Sequence, residues 1–159
     1  MNKTKLKGLN KSTIFCKGFT LIELLVVIGI LAVILAIVLV AINPSRQFQQ
    51  ANDTQRRSDV NSILNAVAQY AADNRGSFPS GMPSAGNSSA VSTAGTGASF
   101  CNAIVPTYIA ALPTDPTTGT TWTDCTSYST GYTIARSSSG NRITVSATPE
   151  VAASISVTR

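Results

Sequence analysis

The strongest feature of the hydrophobic pattern is an apolar run from Phe19 to Ile42, which contains one charged residue, Glu23. As an α-helix rising about 1.5 Å per residue, the run would extend about 36 Å, more than the roughly 30 Å hydrocarbon core of a bilayer. It therefore predicts a membrane-spanning helix. A cleaved secretory signal is the alternative, because its shorter apolar run of about 7–15 residues ends in small residues, and residues 31–36 contain some.

A proline marks the end of this run. Pro44 either kinks one continuous helix or follows an Asn43 cap as the first residue of a second helix. Apolar residues then return at intervals of three and four, which is the spacing of one helix face: Val60, Ile63, Leu64, Val67, Ala68 and Ala71. This pattern predicts an amphipathic helix that packs on a sheet formed later in the chain, with Gly76 suited to end it.

Between the two helical stretches lies a polar segment, residues 46–59. Asp53 precedes Arg57 by four residues and Arg56 precedes Asp59 by three, and these spacings bring opposite charges together on a helix surface. We interpret the pairs as a solvated helix face, in which each pair contributes a few tenths of a kcal/mol.

The C-terminal half predicts loops and short strands. Residues 77–99 are rich in Gly, Ser, Ala and Pro and predict a flexible loop. Residues 101–111 are mildly apolar and predict a short helix that Pro106 interrupts, and residues 112–116 form a turn cluster in which Asp115 is a turn residue. Three alternating runs predict strands, the first two of them as a hairpin: 131–136, 142–147 and 152–158.

The composition argues against several classes of function. The chain has no histidine, so a hydrolytic triad or a zinc site would need an unusual substitute. Outside the first eighteen residues, seven arginines balance seven acidic residues, which argues against a basic nucleic-acid-binding surface. We therefore expect no enzyme activity, no cofactor or metal, and no direct nucleic-acid partner.

The lysines set the expected membrane orientation. All five precede the apolar run: Lys3, Lys5, Lys7, Lys11 and Lys17. Because basic residues flank the cytoplasmic end of a spanning helix, Met1 is expected in the cytoplasm and the chain after about residue 43 outside it. Arg46, Arg56 and Arg57 weaken this asymmetry without reversing it.

The residues from Lys17 to Glu23, KGFTLIE, place a basic residue, a glycine, an aromatic residue and a lone carboxylate in order before the apolar helix. This order resembles the cleavage motif of type IV prepilins and of the related type II secretion pseudopilins, and every position matches. The resemblance implies that a membrane peptidase cuts between Gly18 and Phe19 and methylates the new amino terminus at Phe19. Glu23 would then be the fifth residue of the mature chain.

Glu23 is the one charged residue of the predicted span. A carboxylate at the centre of a spanning helix costs about 2.5–3.5 kcal/mol on insertion scales, but Glu23 lies only about 6 Å along the helix from Phe19 and so nearer the interface. In a filament core it would need a positive partner, and the amino terminus of a neighbouring subunit's Phe19 is available. The alternative is a carboxylate that extends to the membrane surface.

The three cysteines fall into two groups. Cys16 lies in the leader, whereas Cys101 and Cys125 form an even pair in a compartment that permits oxidation. A disulfide between them would stabilise the fold by roughly 3 kcal/mol. Two free thiols are the alternative. Many type IV pilins similarly pin a C-terminal loop with a disulfide.

The resemblance implies an α+β, pilin-like fold, in which a long and continuous kinked N-terminal helix packs its amphipathic half on a small antiparallel sheet. It divides the chain into a cleaved cytoplasmic leader, a transmembrane or filament-core helix, an exported amphipathic helix half and a small β-rich head: 1–18, 19–42, 43–75 and 76–159. The C-terminal region has only Asp124 and Glu150 as acidic residues, unlike the calcium-binding loop of major pseudopilins, so we expect no calcium site.

The same resemblance implies a structural subunit, a pilin or pseudopilin, that polymerises through its N-terminal helix into a type IV pilus or a type II secretion-like pseudopilus. Its partners would be copies of itself, related pilins, the prepilin peptidase, the inner-membrane assembly platform and membrane lipid. The chain would be a single-pass inner-membrane protein before assembly, and then part of a filament at the cell surface or in the periplasm. The alternative is a single-span surface protein that binds a ligand and does not polymerise.

Overall fold

A computed structural model of the protein describes residues 18–139 and 142–159. Most of the predicted leader, including Cys16 and Lys17, lies outside the described residues, as do Gly140 and Asn141 of the predicted hairpin loop. The chain divides between Asn43 and Pro44 into two compact units, an N-terminal helical unit and a larger α+β unit.

Helix α1 spans Leu21–Ala41, and none of its residues is buried. Thr20 caps its N-terminus, and Ile42 ends it with an extended backbone at φ −95° and ψ 107°. Apolar side chains surround the helix on every side, as expected for a segment whose surroundings are not water. By length and composition α1 can cross a membrane, a test that a cleaved signal also passes.

Helix α2 begins at Pro44 and ends at Asp73. The extended backbone at Ile42 separates it from α1, so Pro44 starts a second helix. The continuous helix that the family resemblance implied is therefore wrong for this chain. Beyond the other end, Gly76 has a positive φ of 83° and donates its N–H to the carbonyl of Ala71 at 2.7 Å, which confirms the predicted stop.

Four antiparallel strands form one sheet in the order β1-β2-β3-β4. Their bounds are Ser88–Ser92, Ser129–Arg136, Ile143–Ala147 and Ile155–Thr158, and a short helix, α3, spans Gly97–Ile104. The hairpin of β2 and β3 and the third predicted strand, β4, are confirmed. The fold is α+β and pilin-like: an apolar N-terminal helix is followed by a helix packed on a four-stranded antiparallel sheet.

The hydrophobic core lies between α2 and the sheet. Four of the six side chains on the predicted apolar face of α2 are at most 1% exposed, namely Val60, Ile63, Leu64 and Val67, and Ala68 and Ala71 are partly buried. Their partners are the inward-facing residues of the strands: Tyr132, Ile134, Ile143, Val145 and Ile155. The alternation of two in the strands and the spacing of three and four in α2 therefore predicted this interface correctly.

The segment 77–99 is not a loop throughout, because β1 and the start of α3 lie in it. Its composition predicts no strand, since glycine, proline and alanine are all depleted in strands. β1 is stabilised instead by pairing with β2, by burial of Val91, and by the Thr96 N–H, which donates to the Ala90 carbonyl at 3.0 Å. Helix α3 ends before Pro106 but starts earlier than the predicted 101–111.

A disulfide joins Cys101 to Cys125, with their Cα atoms 5.4 Å apart. This confirms the predicted pair and excludes two free thiols. The bond ties α3 to the segment that precedes β2, and Cys101 itself is fully buried in the core.

Candidate functional site

Gly18, Phe19 and Thr20, the described residues at the predicted cleavage position, lie just before α1 and are not helical. Gly18 is exposed, and a Cβ added to it would have no atom within 4 Å. Phe19 is 83% exposed. Within the described residues, therefore, no packing contact requires a glycine at position 18.

The carboxylate of Glu23 folds back over the first turn of α1. Its Oε2 accepts hydrogen bonds from the backbone N–H of Thr20 at 2.9 Å and from the Thr20 hydroxyl at 2.7 Å. In return, the Thr20 hydroxyl accepts the N–H of Glu23 at 3.3 Å. This is a capping box, and a carboxylate in the first turn also favours the positive end of the helix dipole. The Thr-x-x-Glu spacing was a signal for this cap that the sequence analysis missed.

Residues 15–39 match the family described as the prokaryotic N-terminal methylation motif. The chain carries the prepilin motif of type IV pilins and pseudopilins. Proteins of this pilin-like kind are typically structural and not enzymes. No curated protein and no solved structure matches the chain significantly. The prepilin motif covers only the start of the chain, and the α+β unit lies outside the matched residues.

In the α+β unit, a cluster of charged residues surrounds Arg56, which is only 1% exposed. Its guanidinium donates to Asp53 at 2.8 Å, to Asp115 at 2.6 and 3.1 Å, and to Glu150 at 2.8 Å. It also donates to the hydroxyl of Thr117 at 2.6 Å. The prediction that Arg56 belongs to a solvated helix face is wrong, because the partners that bury it come from distant parts of the chain.

Asp53 joins α2 to the segment before β4. In addition to Arg56, it accepts three backbone N–H groups, from Glu150, Val151 and Ala152, at 2.9, 2.9 and 2.8 Å. The predicted pair of Asp53 with Arg57 therefore does not form. The Asp53 carboxylate is only 4% exposed, and these hydrogen bonds offset the cost of burying its charge.

Asp115 holds the turn of residues 115–119 against both α2 and β2. It accepts the N–H groups of Thr117 and Thr118 at 2.8 and 2.9 Å, which confirms it as a turn residue. It is also an ion-pair partner of Arg56, which the sequence analysis missed. Gly131 permits the close approach of β2: its φ is 79°, and an added Cβ would lie 2.7 Å from the Asp115 Cβ.

The electrostatics of the cluster follow from these contacts. Burial alone would raise the pKa of Asp53, but the three backbone donors and Arg56 outweigh it and hold that pKa well below its usual range. For Asp115, burial is likewise outweighed by Arg56 and the turn N–H groups, so its pKa is also lowered. The hydrogen bond to Asp115 is the main reason why the pKa of Arg56 is raised.

Asp59, the other acidic residue of α2 that is buried, lies outside this cluster. It accepts a hydrogen bond from the Tyr132 hydroxyl at 2.7 Å and one from the Gln55 amide at 2.9 Å. Burial, followed by this bond to Asp59, raises the pKa of Tyr132. The contact joins α2 to the centre of the sheet, so the predicted pairing of Asp59 with Arg56 is wrong.

The arrangement around Arg56 is suited to holding segments of the fold together and not to binding a ligand. A guanidinium occupies the point at which the carboxylates converge. In the part of the chain that the structure describes, no group of three or more His, Cys, Asp or Glu residues could hold a metal ion. The cluster therefore joins α2, the Asp115 turn and the segment before β4 into one structural unit.

Replacing Arg56 with Met should lower the free energy of unfolding by about 3–5 kcal/mol, because it leaves buried carboxylates without their positive partner. Urea unfolding of the purified full chain in detergent, followed by the fluorescence of its single tryptophan, Trp122, would measure this. Arg57→Met is the matched control: Arg57 is exposed, so its replacement should change the free energy by less than about 0.5 kcal/mol. Equal effects of the two substitutions would contradict the role given to Arg56.

The lowered pKa values of Asp53 and Asp115 predict acid sensitivity. In the unfolded chain both carboxyl groups titrate near pH 4, whereas in the folded chain they stay ionised to lower pH. Their stabilising contribution is therefore complete above about pH 5 and is lost progressively as the pH falls below about 4. The same unfolding measurement from about pH 7 to pH 2 should show this decline. A free energy that is constant below pH 4 would be inconsistent with these ion pairs.

Proposed function

We propose that this protein is a structural subunit that polymerises through its N-terminal helix into a type IV pilus or a type II secretion-like pseudopilus. The observation that carries the proposal is the prepilin motif. It matches residues 15–39, which include most of α1, a helix with no buried residue. A helix that is apolar on every side needs lipid or other helices around it. A filament core of packed α1 helices provides the second of these environments.

Processing would come first. The peptidase would cut after Gly18, and the amino group of Phe19 would be methylated. Gly18 and Phe19 are exposed and not helical, and among the described residues no contact requires a glycine at position 18; these observations support recognition of Gly18 by an enzyme. The leader would be residues 1–18, the span or filament core 19–42, and the exported part the rest of the chain, which we divide into 43–75 and 76–159.

Assembly would use Glu23. In the single chain, Glu23 is held by Thr20 at the first turn of α1, close to the amino group that cleavage would create. In a filament that carboxylate can instead accept a neighbouring subunit's amino terminus. Opposite charges about 4 Å apart attract by about 4 kcal/mol at an effective dielectric constant near 20, and the net value after desolvation is smaller. Because the pair would repeat at every subunit, it would also set the axial register.

The proposed life cycle specifies partners and places. Before assembly the chain would be a single-pass inner-membrane protein with a cytoplasmic N-terminus, in contact with lipid, the peptidase and the assembly platform. Afterwards it would lie in an extracytoplasmic filament of identical and related subunits. The Cys101–Cys125 disulfide supports export, because such bonds persist in oxidising compartments.

Mass spectrometry of the mature N-terminus tests the processing step. We expect a chain that begins at Phe19 and carries one added methyl group on its amino nitrogen. Gly18→Ala in the same cells is the comparison, and should accumulate as the uncut form because the added methyl group obstructs the peptidase. An intact Met1, or a cut at any other bond, would exclude the prepilin pathway.

Glu23→Gln tests the assembly step, because it keeps the shape of the side chain and removes its charge. Cleavage should be normal, since Gly18 is unchanged, whereas filaments in sheared-cell fractions should fall at least tenfold. Glu23→Ala should behave alike. Normal filament amounts from cleaved Glu23→Gln protein would show that this charge does not direct assembly, and anchored but unassembled wild-type protein would favour the single-span binding protein.

A further inference from the structure

Phe48 is an exception on the surface of the α+β unit. Among the described residues from Pro44 onward it is the one large hydrophobic side chain that is exposed, at 71%. It lies in the first turns of α2, where residues 44–48 are all exposed and the sheet does not cover the helix. An aromatic side chain in water contributes nothing to the fold, so Phe48 is free to contact another molecule.

A cavity of about 390 Å³ lies on the other side of α2 and is lined by Gln50, Asp53, Thr54, Arg57, Val151 and Ala152. Its volume is within the range of about 300–1,000 Å³ that is typical of binding pockets. Phe48 and Arg57 are nine residues apart, which is two and a half turns at about 3.6 residues per turn, so they project from opposite sides of α2.

The guanidinium of Arg57 determines which group suits this cavity. Asp53 is engaged by Arg56, so in the described chain no carboxylate pairs with Arg57. The adjacent carboxylate of Asp53 makes the cavity unfavourable for an anion, whereas an aromatic ring can stack on a guanidinium without adding charge. The same molecule already contains such a contact, because the Arg136 guanidinium lies 4.8 Å from the centre of the Phe78 ring.

We propose that Phe48 of one subunit inserts into this cavity of the next subunit and packs its ring against Arg57. The occupant is a second copy of the chain, and the inference rests on the proposed polymerisation. Because donor and acceptor surfaces are on opposite sides of α2, the contact runs head to tail, and such a contact builds an open filament when the rotation between subunits does not close a ring. Apart from Glu23 in its first turn, α1 is apolar on every side and favours no rotation between subunits, and the Phe48 contact supplies a second fixed point.

Cysteine cross-linking in cells that assemble the full chain tests this contact. With Ser45→Cys, which is exposed one turn before Phe48 and leaves its ring in place, and Val151→Cys in one chain, mild oxidation should give a ladder of multimers that a reductant collapses. The native Cys101 and Cys125 are already bonded to each other, and Cys16 is removed with the leader. The matched control, Ser45→Cys with Gln69→Cys, places the second thiol at an exposed position of α2 outside the cavity and should give no ladder.

Assembly measurements complete the test. Phe48→Ala should reduce filament amounts about tenfold, which corresponds to about 1.4 kcal/mol per contact, whereas Phe48→Tyr should retain them because the ring remains. Gln47→Ala, on the adjacent exposed residue, should have no effect. Urea unfolding of Phe48→Ala should match that of the wild type, which separates an assembly defect from a folding defect.

The outcomes distinguish this inference from the function on which it rests. If the wild-type chain forms no filament, both are wrong. If filaments form and depend on Glu23, but the Ser45→Cys and Val151→Cys chain gives no ladder and Phe48→Ala assembles normally, only the Phe48 contact is wrong. The Phe48 contact is also wrong if Phe48→Ala is lost from the membrane fraction and the double-cysteine chain gives no ladder. Phe48 would then contact the bilayer surface.

Discussion

The organisation of the α+β unit depends on the ion pairs of the Arg56 guanidinium. Arg56 is 1% exposed and bonded to carboxylates of α2, of the Asp115 turn and of the segment that leads into β4. A hydrophobic core between a helix and a sheet fixes which faces meet, but it does not fix the connecting segments, which are mostly polar. Here a buried cation positions two of those segments. Such a cluster is stable only when every partner is satisfied, and the backbone donors to Asp53 and Asp115 meet that condition.

The two units of the chain follow different physical rules. In the α+β unit, apolar side chains are buried against one another and a disulfide reinforces the core. In α1, apolar side chains are exposed along the whole helix, so its stability has to come from an environment outside the chain. The capping box at Thr20 and Glu23 satisfies the first turn locally. The carboxylate of Glu23 is therefore structural in the single chain, and it is the group that the proposed assembly step would use.

The charge balance shows why counting residues is a poor guide to a surface. The chain beyond the leader is neutral by number, and adjacent opposite charges in α2 suggested a solvated face. In the structure, Asp53, Asp59 and Asp115 are buried. Among the arginines of the described residues, Arg56 is the one that is buried. Arg57, next to it in sequence, is left exposed beside a cavity because its expected partner turns to Arg56. Which arginine is buried depends on the distant groups that approach α2, and no local spacing encodes that.

Features that depend on neighbours along the chain could be predicted from the sequence. The apolar length of α1, the prepilin motif, the buried face of α2 from Val60 to Val67 and the alternation in β2 and β3 all belong to this group, because helix and strand periodicities place side chains by local geometry alone. The cysteine pair followed from its number and compartment. Pro44 left a kinked helix and a second helix as alternatives, and the structure has the second. Folding alone produced the serine-rich strand β1 and the partners of Arg56 at sequence separations of 59 and 94 residues. Those features depend on groups that meet only when the chain has folded, so no pattern along the sequence could specify them.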